Sequence, residues 1–278
     1  MKLTSELIPD YEDYLRHERK LVESTITSYR NDISALAKIA GDKPPRDYTL
    51  DDLRTYLRSL SEKGYARATI RRRIHGLSAW YDWLLLVGHV DEKLSVKLHI
   101  PKKQRIEARW LTEDELKRFV NTPSEPRLEC AWGLLAWCGL RRSELLNMTW
   151  DNIRLDDKTI TVRKGKGHKD RTIPIATELG NRINTFWVLQ GKPVTGSVFG
   201  NWYIKRFMLD FRAHVANAGL KDVTPRTLRH TFITHLIRNG VDIDVVQRLA
   251  GHEHMTTTFQ YAHQAPKLMQ DAMKKFPI

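Results

Sequence analysis

Apolar side chains recur at helical spacing through the first part of this chain. The recurrence then stops in a basic stretch, and that break constrains the fold more than any other feature. Before it, Leu3, Leu7, Ile8, Tyr11, Tyr14 and Leu15 mark a helix over residues 3–20. Ile26, Tyr29, Ile33, Leu36 and Ala37 mark a second, running to Ala40, which Ser24 or Thr25 can cap. GDKPPRDY interrupts the chain, Thr49 opens a third helix ended by Gly64, and Ile70, Ile74, Leu77, Tyr81, Leu84 and Leu85 stripe a fourth over residues 66–87. The expected organisation is a helical unit over residues 1–93, a basic linker over 94–110 and a second unit over 111–278. The chain has 278 residues, enough for two cores.

The second unit changes period once. Thr112-Glu-Asp-Glu reads as a capping box opening a helix to Asn121. Residues 127–138 suit a buried helix, Gly139 breaks it, and residues 141–148 start another. TITVR (159–163) and RTIPI (171–175) then flank KGKGHKD, which predicts a β-hairpin with a basic turn in which Lys166 stands between two glycines. Helices follow at 176–190 and 201–217. Thr224-Pro225 opens the next one, and residues 266–275 can form a short final helix. The fold class is mainly α, with a small β-hairpin or sheet in the second unit.

The net charge of +13 and sequence pI near 9.7 point to a polyanionic partner, first of all nucleic acid. Residues 1–100 hold 17 basic and 15 acidic side chains, so most of the excess lies in the second part of the chain. Arg67, Arg71 and His75 share a face of the fourth helix, with Arg72 and Arg73 alongside. Lys102, Lys103 and Arg105 lie in the linker, and all of these arginines and lysines are candidates for contact with a DNA backbone. No apolar run approaches the length of a membrane span, and the start of the chain has no signal-peptide core, so a soluble cytoplasmic protein without a membrane partner is expected. Cys130 and Cys138 would lie about 12 Å apart along one helix, too far for a disulfide, and read as buried thiols.

Residues 224–263, TPRTLRHTFITHLIRNGVDIDVVQRLAGHEHMTTTFQYAH, concentrate Arg226, Arg229, His230, His252 and Tyr261. Arg226 and Arg229 share a helix face near an N-terminus, where an anion is favoured and a cation is not. With three other segments this stretch resembles the tyrosine recombinases, the phage-integrase and Xer-type site-specific DNA recombinases. GLRRSEL resembles their first arginine box, with Arg141. KGKGHKDRTIPI resembles their hairpin lysine motif, with Lys166. LRHTFITHL resembles the second arginine box, with Arg229, and AGHEHMTTTFQYAH the final box, with His252 and the nucleophile Tyr261. The order and spacing of the boxes are highly specific, and the likeness covers nearly the whole chain. It implies a core-binding SAM-like domain and a catalytic domain clamped around double-stranded DNA. It also implies specific recombination sites, a 3′-phosphotyrosyl intermediate, a Holliday junction and a homotetramer on paired sites, monomeric or weakly associated when free. No metal or cofactor is expected, and the location would be the nucleoid.

The residue types suit that chemistry. Arginines stay charged at any working pH and can each bond two phosphoryl oxygens where charge builds in the transition state. Lys166 can protonate the leaving oxygen, His252 can donate to the phosphate, and Glu144, three residues after Arg141, can orient a basic partner. His252 and Tyr261 would face opposite ways on one straight helix, so a break is expected between them, at Thr256-Thr257-Thr258. The family usually has His or Lys where this chain has Arg226, and arginine cannot act as a base at neutral pH. A further phosphate or phenolate contact is expected of it. Two alternatives are a catalytically silent DNA-binding relative and a type IB topoisomerase-like enzyme. A metal reading of His252, His254 and His263 matches no known ligand spacing.

Overall fold

A computed structural model describes residues 2–102, 108–163, 170–252 and 258. The chain divides into two compact units, Met1–Ile106 and Glu107–Ile278. The helix expected over 266–275 and the KGKGHKD turn from 164 to 169 lie outside the described residues.

The first unit is built from α1 (Thr4–His17), α2 (Glu23–Ala40), α3 (Leu50–Glu62) and α4 (Arg67–Leu86). Their apolar stripes meet in one core that includes Leu7, Tyr11, Ile33, Leu36, Leu53, Tyr56, Leu77 and Trp80. Tyr11 packs edge-on against Trp80, with ring centroids 4.9 Å apart, a geometry that adds to simple burial. Thr49 caps α3, its hydroxyl accepting from the Asp52 amide at 3.2 Å while Asp52 reaches back to Thr49. The start of α2 differs from expectation: Ser24 and Thr25 lie inside it, and its N-cap, Val22, makes no side-chain cap bond. The basic stretch is also shorter as a linker than expected. Leu94–Lys97 forms a turn of 3-10 helix packed on α3 and α4, and Leu98 is buried in the first core.

Asp32 of α2 is buried in this unit, and a buried carboxylate needs partners. Arg72 supplies a two-pronged pair at 2.7 Å to each oxygen, and the Arg73 Nε lies 3.7 Å away. Gly76 makes room for it: a Cβ there would stand 2.7 Å from Asp32 Oδ2.

The second unit holds α5 (Glu113–Asn121), α6 (Pro126–Cys138), α7 (Arg142–Leu146), α8 (Thr177–Leu189), α9 (Ile204–Asn217), α10 (Pro225–Arg238) and α11 (Ile243–Ala250). Between α7 and α8, β1 (Ile153–Arg154), β2 (Thr159–Val162) and β3 (Arg171–Pro174) form an antiparallel sheet in sequence order. Val162 pairs with Arg171 and Thr159 with Pro174. The expected hairpin is present, and the two-residue β1 adds to it. α6 is apolar on nearly all sides, packs against α5, α8 and α10, and buries both cysteines. Burial raises both thiols, Cys138 to about 12. The core continues into Trp132, Trp202, Phe207 and Phe211. Trp202 is buried there, and α9 starts at Ile204 instead of residue 201. No described helix is long and apolar enough to cross a membrane.

Candidate active site

Two helix ends and one helix face make the site. α6 stops at Gly139, whose φ of +57° is left-handed, and α11 stops at Gly251 in the same region at +65°. Each end exposes backbone carbonyls at the negative pole of a helix dipole, which suits cations.

Three arginines occupy the end of α11. Arg171 Nε donates to Leu249 O at 2.9 Å, Arg229 Nη2 donates to Ala250 O, and Arg141 Nη2 donates to Gly251 O at 3.1 Å. Arg229 also reaches the end of α6, its Nη1 donating to Gly139 O at 2.7 Å. Arg229 is buried on α10, which packs on α6, and Thr224 caps α10 by accepting from the Thr227 amide at 3.1 Å. α11 thus ends at Gly251, just before His252, and the break expected between His252 and Tyr261 lies outside the described residues. Thr258 is itself helical, while Thr256 and Thr257 are outside the described residues.

Glu144 ties two of these arginines together. It accepts from the Arg141 amide at 2.8 Å and from Arg141 Nη1 at 2.7 Å. It also accepts from Arg171 Nη1 at 2.9 Å and Nη2 at 2.7 Å. Burial alone would raise this carboxyl, but the Arg171 and Arg141 bonds outweigh it and lower it to about 2. Arg171 is 6% exposed, whereas Arg141 is 41% exposed and half open to solvent.

His252 follows directly. Its amide donates to Gln247 O at 3.2 Å, its carbonyl accepts from Gln247 Nε2 at 3.1 Å, and its Nδ1 lies 2.9 Å from Thr258 Oγ1. Burial, then the charges of Arg229 and Arg141, lower it to about 4, so the ring is neutral at physiological pH. Arg226 lies exposed in the first turn of α10, and its Nε donates to His230 Nε2 at 3.1 Å.

Arg141, Glu144, Arg229 and His252, expected together from sequence, thus stand in one cluster, with Arg226 on the same helix as Arg229. Lys166 and Tyr261 lie outside the described residues. Sequence reasoning missed Arg171. The signal was available: RTIPI alternates, so Arg171 shares the inward face of Ile173, and a buried arginine calls for a carboxylate such as Glu144.

The expected DNA-contact residues divide. Arg67 and Lys102 are exposed and help to line a shallow basic groove in the first unit, with Arg58, His99 and Pro101. Arg71 Nη1 donates to Pro101 O at 2.9 Å. Arg72 stays exposed while its guanidinium pairs with the buried Asp32, and Arg73 is turned further inward beside the same carboxylate. Arg73 also donates to Tyr56 Oη at 3.1 Å and stacks over Tyr65. Lys103 and Arg105 lie outside the described residues.

An arginine cluster with a caged carboxylate suits chemistry on a phosphate, and comparison with known proteins gives the class, the DNA strand-transferring tyrosine recombinases. The chain belongs to the phage integrase family: residues 109–267 match that family and residues 8–88 match its N-terminal SAM-like domain. A tyrosine recombinase of Thermosipho africanus is 32% identical, over 97% of this chain and 99% of its own. The tyrosine recombinase XerC of Oceanobacillus iheyensis is 30% identical, over 97% and 95%. Among solved structures, a lambda integrase tetramer bound to a Holliday junction shares the fold with a TM-score of 0.77 at 20% identity, over 94% of this chain and 77% of that one.

Proposed function

We propose that this protein is a site-specific DNA recombinase that cuts and rejoins duplex DNA through a 3′-phosphotyrosyl intermediate on Tyr261. The observation that carries the reading is the convergence of Arg141, Arg229 and His252 at the end of α11. Arg229 is held by neutral carbonyls and Arg141 shares the single charge of Glu144 with Arg171, so the cluster keeps positive charge for a scissile phosphate, where preorganised donors lower the barrier most. The Tyr261 oxygen attacks phosphorus, the bond to the 5′-oxygen breaks, and Lys166 supplies the proton that oxygen needs. If the Thr258 hydroxyl donates to His252 Nδ1, the ring proton sits on Nε2 and can be given to a phosphoryl oxygen as a hydrogen bond. Attack by a 5′-hydroxyl on the phosphotyrosine reverses the step and rejoins the strand.

Exchange between two duplexes passes through a Holliday junction held by a homotetramer on paired sites. Arg67, Arg71 and Lys102, with Lys103 and Arg105, contact the backbone of the specific site from the first unit and the linker. Such a protein works on DNA in the cytoplasm, with the nucleoid. Incubation with randomised duplexes tests the reading: wild type becomes covalently attached to a defined sequence, and Tyr261→Phe does not. Absence of any Tyr261-dependent adduct would leave a DNA-binding protein without strand-transfer activity. Relaxation of supercoiled DNA by a monomer would identify a topoisomerase instead.

A further inference from the structure

We infer that His230 is a positioning residue that locks Arg226 as a fixed, anion-binding donor at the start of α10. This rests on the recombinase reading above. The bond between the two residues has only one possible direction. Arginine is always a donor, so His230 Nε2 must accept, and the ring must be neutral with its proton on Nδ1. The residues stand four apart on α10, one turn from each other on a single face.

The surroundings enforce that protonation state. His230 is half-buried, and among the described residues the charges that face it include Arg226 and Arg229 on its own helix, with His252 nearby after α11. Burial first and then the two arginines bring it to about 4. A neutral imidazole beside an active site is also the usual description of a general base, so the two roles compete. They exclude each other here. A protonated ring has two N–H groups and no acceptor, so His230 could take up a proton at Nε2 only by expelling Arg226. The arrangement therefore favours positioning. With Nε anchored, the guanidinium plane is fixed, and its two Nη groups remain the outward edge of an exposed side chain. That edge matches two oxygens of one phosphate. The first turn of α10 adds its positive dipole end, which favours the same anion and gives no local reason for a cation.

Single-turnover formation of the Tyr261 adduct on a nicked duplex tests this, with DNA affinity measured alongside and folding checked by thermal melting. His230→Ala should slow adduct formation about 10- to 100-fold, the range for losing a hydrogen bond to a charged group, with affinity changed by less than about threefold. His230→Gln, whose amide oxygen can accept from Arg226, should recover most of that rate. Arg226→Ala should be at least as slow as His230→Ala, and the double variant no slower than Arg226→Ala. Three results would overturn the inference: Gln as slow as Ala, which would mean that the imidazole itself moves a proton; losses that multiply in the double variant; or Arg226→Ala at the wild-type rate. Failure of wild type to form any adduct would instead refute the recombinase reading.

Discussion

Gly251→Ala should damage this protein far more than an ordinary glycine substitution, and Gly219→Ala provides the comparison. Both glycines have a φ of +65° and both lie in the second unit. An alanine pays a left-handed backbone penalty of about 1–2 kcal/mol at either position. Only the surroundings differ. A Cβ on residue 219 would meet Arg118 Nη1 at 3.6 Å, an ordinary contact. On residue 251 it would stand 2.9 Å from both Cδ and Nη1 of Arg171. Arg171 cannot swing away cheaply, because Glu144 holds both its Nη groups and Leu249 O holds its Nε. Breaking a buried ion pair outright costs about 3–5 kcal/mol. A forced shift costs part of that, so Gly251→Ala should lose about 2–3 kcal/mol more than Gly219→Ala. Urea denaturation of the full chain measures the difference, since both substitutions act on the same unit and its unfolding transition. Adduct formation should fall at least 100-fold in Gly251→Ala, because displacement of about 1 Å at a reacting centre is enough for that. Equal loss of stability in the two variants would show that Arg171 does not press on Gly251 and would refute the packing argument.

Two further outcomes follow from the buried carboxylates. The Glu144 carboxyl is lowered from 4.5 to about 2 on folding, so its contribution is fully present above the unfolded value and is lost as pH falls through about 2. A shift of this size corresponds to about 3 kcal/mol. Stability measured by urea at pH 5 and pH 2.5 should therefore fall more steeply in wild type than in Glu144→Gln, and parallel curves would contradict the assignment. In the first unit, Gly76→Ala should push Asp32 off its pairing with Arg72 and lower stability by about 2–4 kcal/mol, read from the melting of that unit. An unchanged midpoint would show that α2 and α4 can part without cost.

Legibility from sequence followed the range of the interaction. Thr49, Thr112 and Thr224 signal helix starts within three residues, and each caps as expected. The start of α2 carried the same residue types without the cap, since its position is set by packing of Ile26, Ile33 and Leu36. The placing of Arg141, Glu144, Arg229 and His252 came from motif order, because burial and carbonyl partners cannot be read from periodicity. The pairing of Arg72 with Asp32, and the inward turn of Arg73, could not be read because Asp32 is 40 residues before Arg72 and on another helix. Arg171 escaped notice for the same reason, although the alternation of β3 had already turned it inward.

The way the arginines are held explains why the site remains cationic. A carboxylate beside each one would fix it but cancel its charge, leaving nothing for a phosphate. Here Leu249, Ala250 and Gly251 supply uncharged acceptors at the negative pole of α11, and among the described residues one carboxylate, Glu144, is shared by Arg141 and Arg171. Arg171 spends its guanidinium on structure, with Glu144 and Leu249 taking Nε and both Nη groups. Arg141 and Arg229 also donate to backbone carbonyls at this helix end. Burial first, and then the same positive field from Arg229 and Arg141, keeps His252 neutral. A phosphate entering the cluster brings the opposite charge and raises His252 toward its ordinary value. On the proposed reading, with His252 facing the scissile phosphate, the DNA would therefore strengthen that donor, and burial together with the arginine field keeps it uncharged before the backbone arrives.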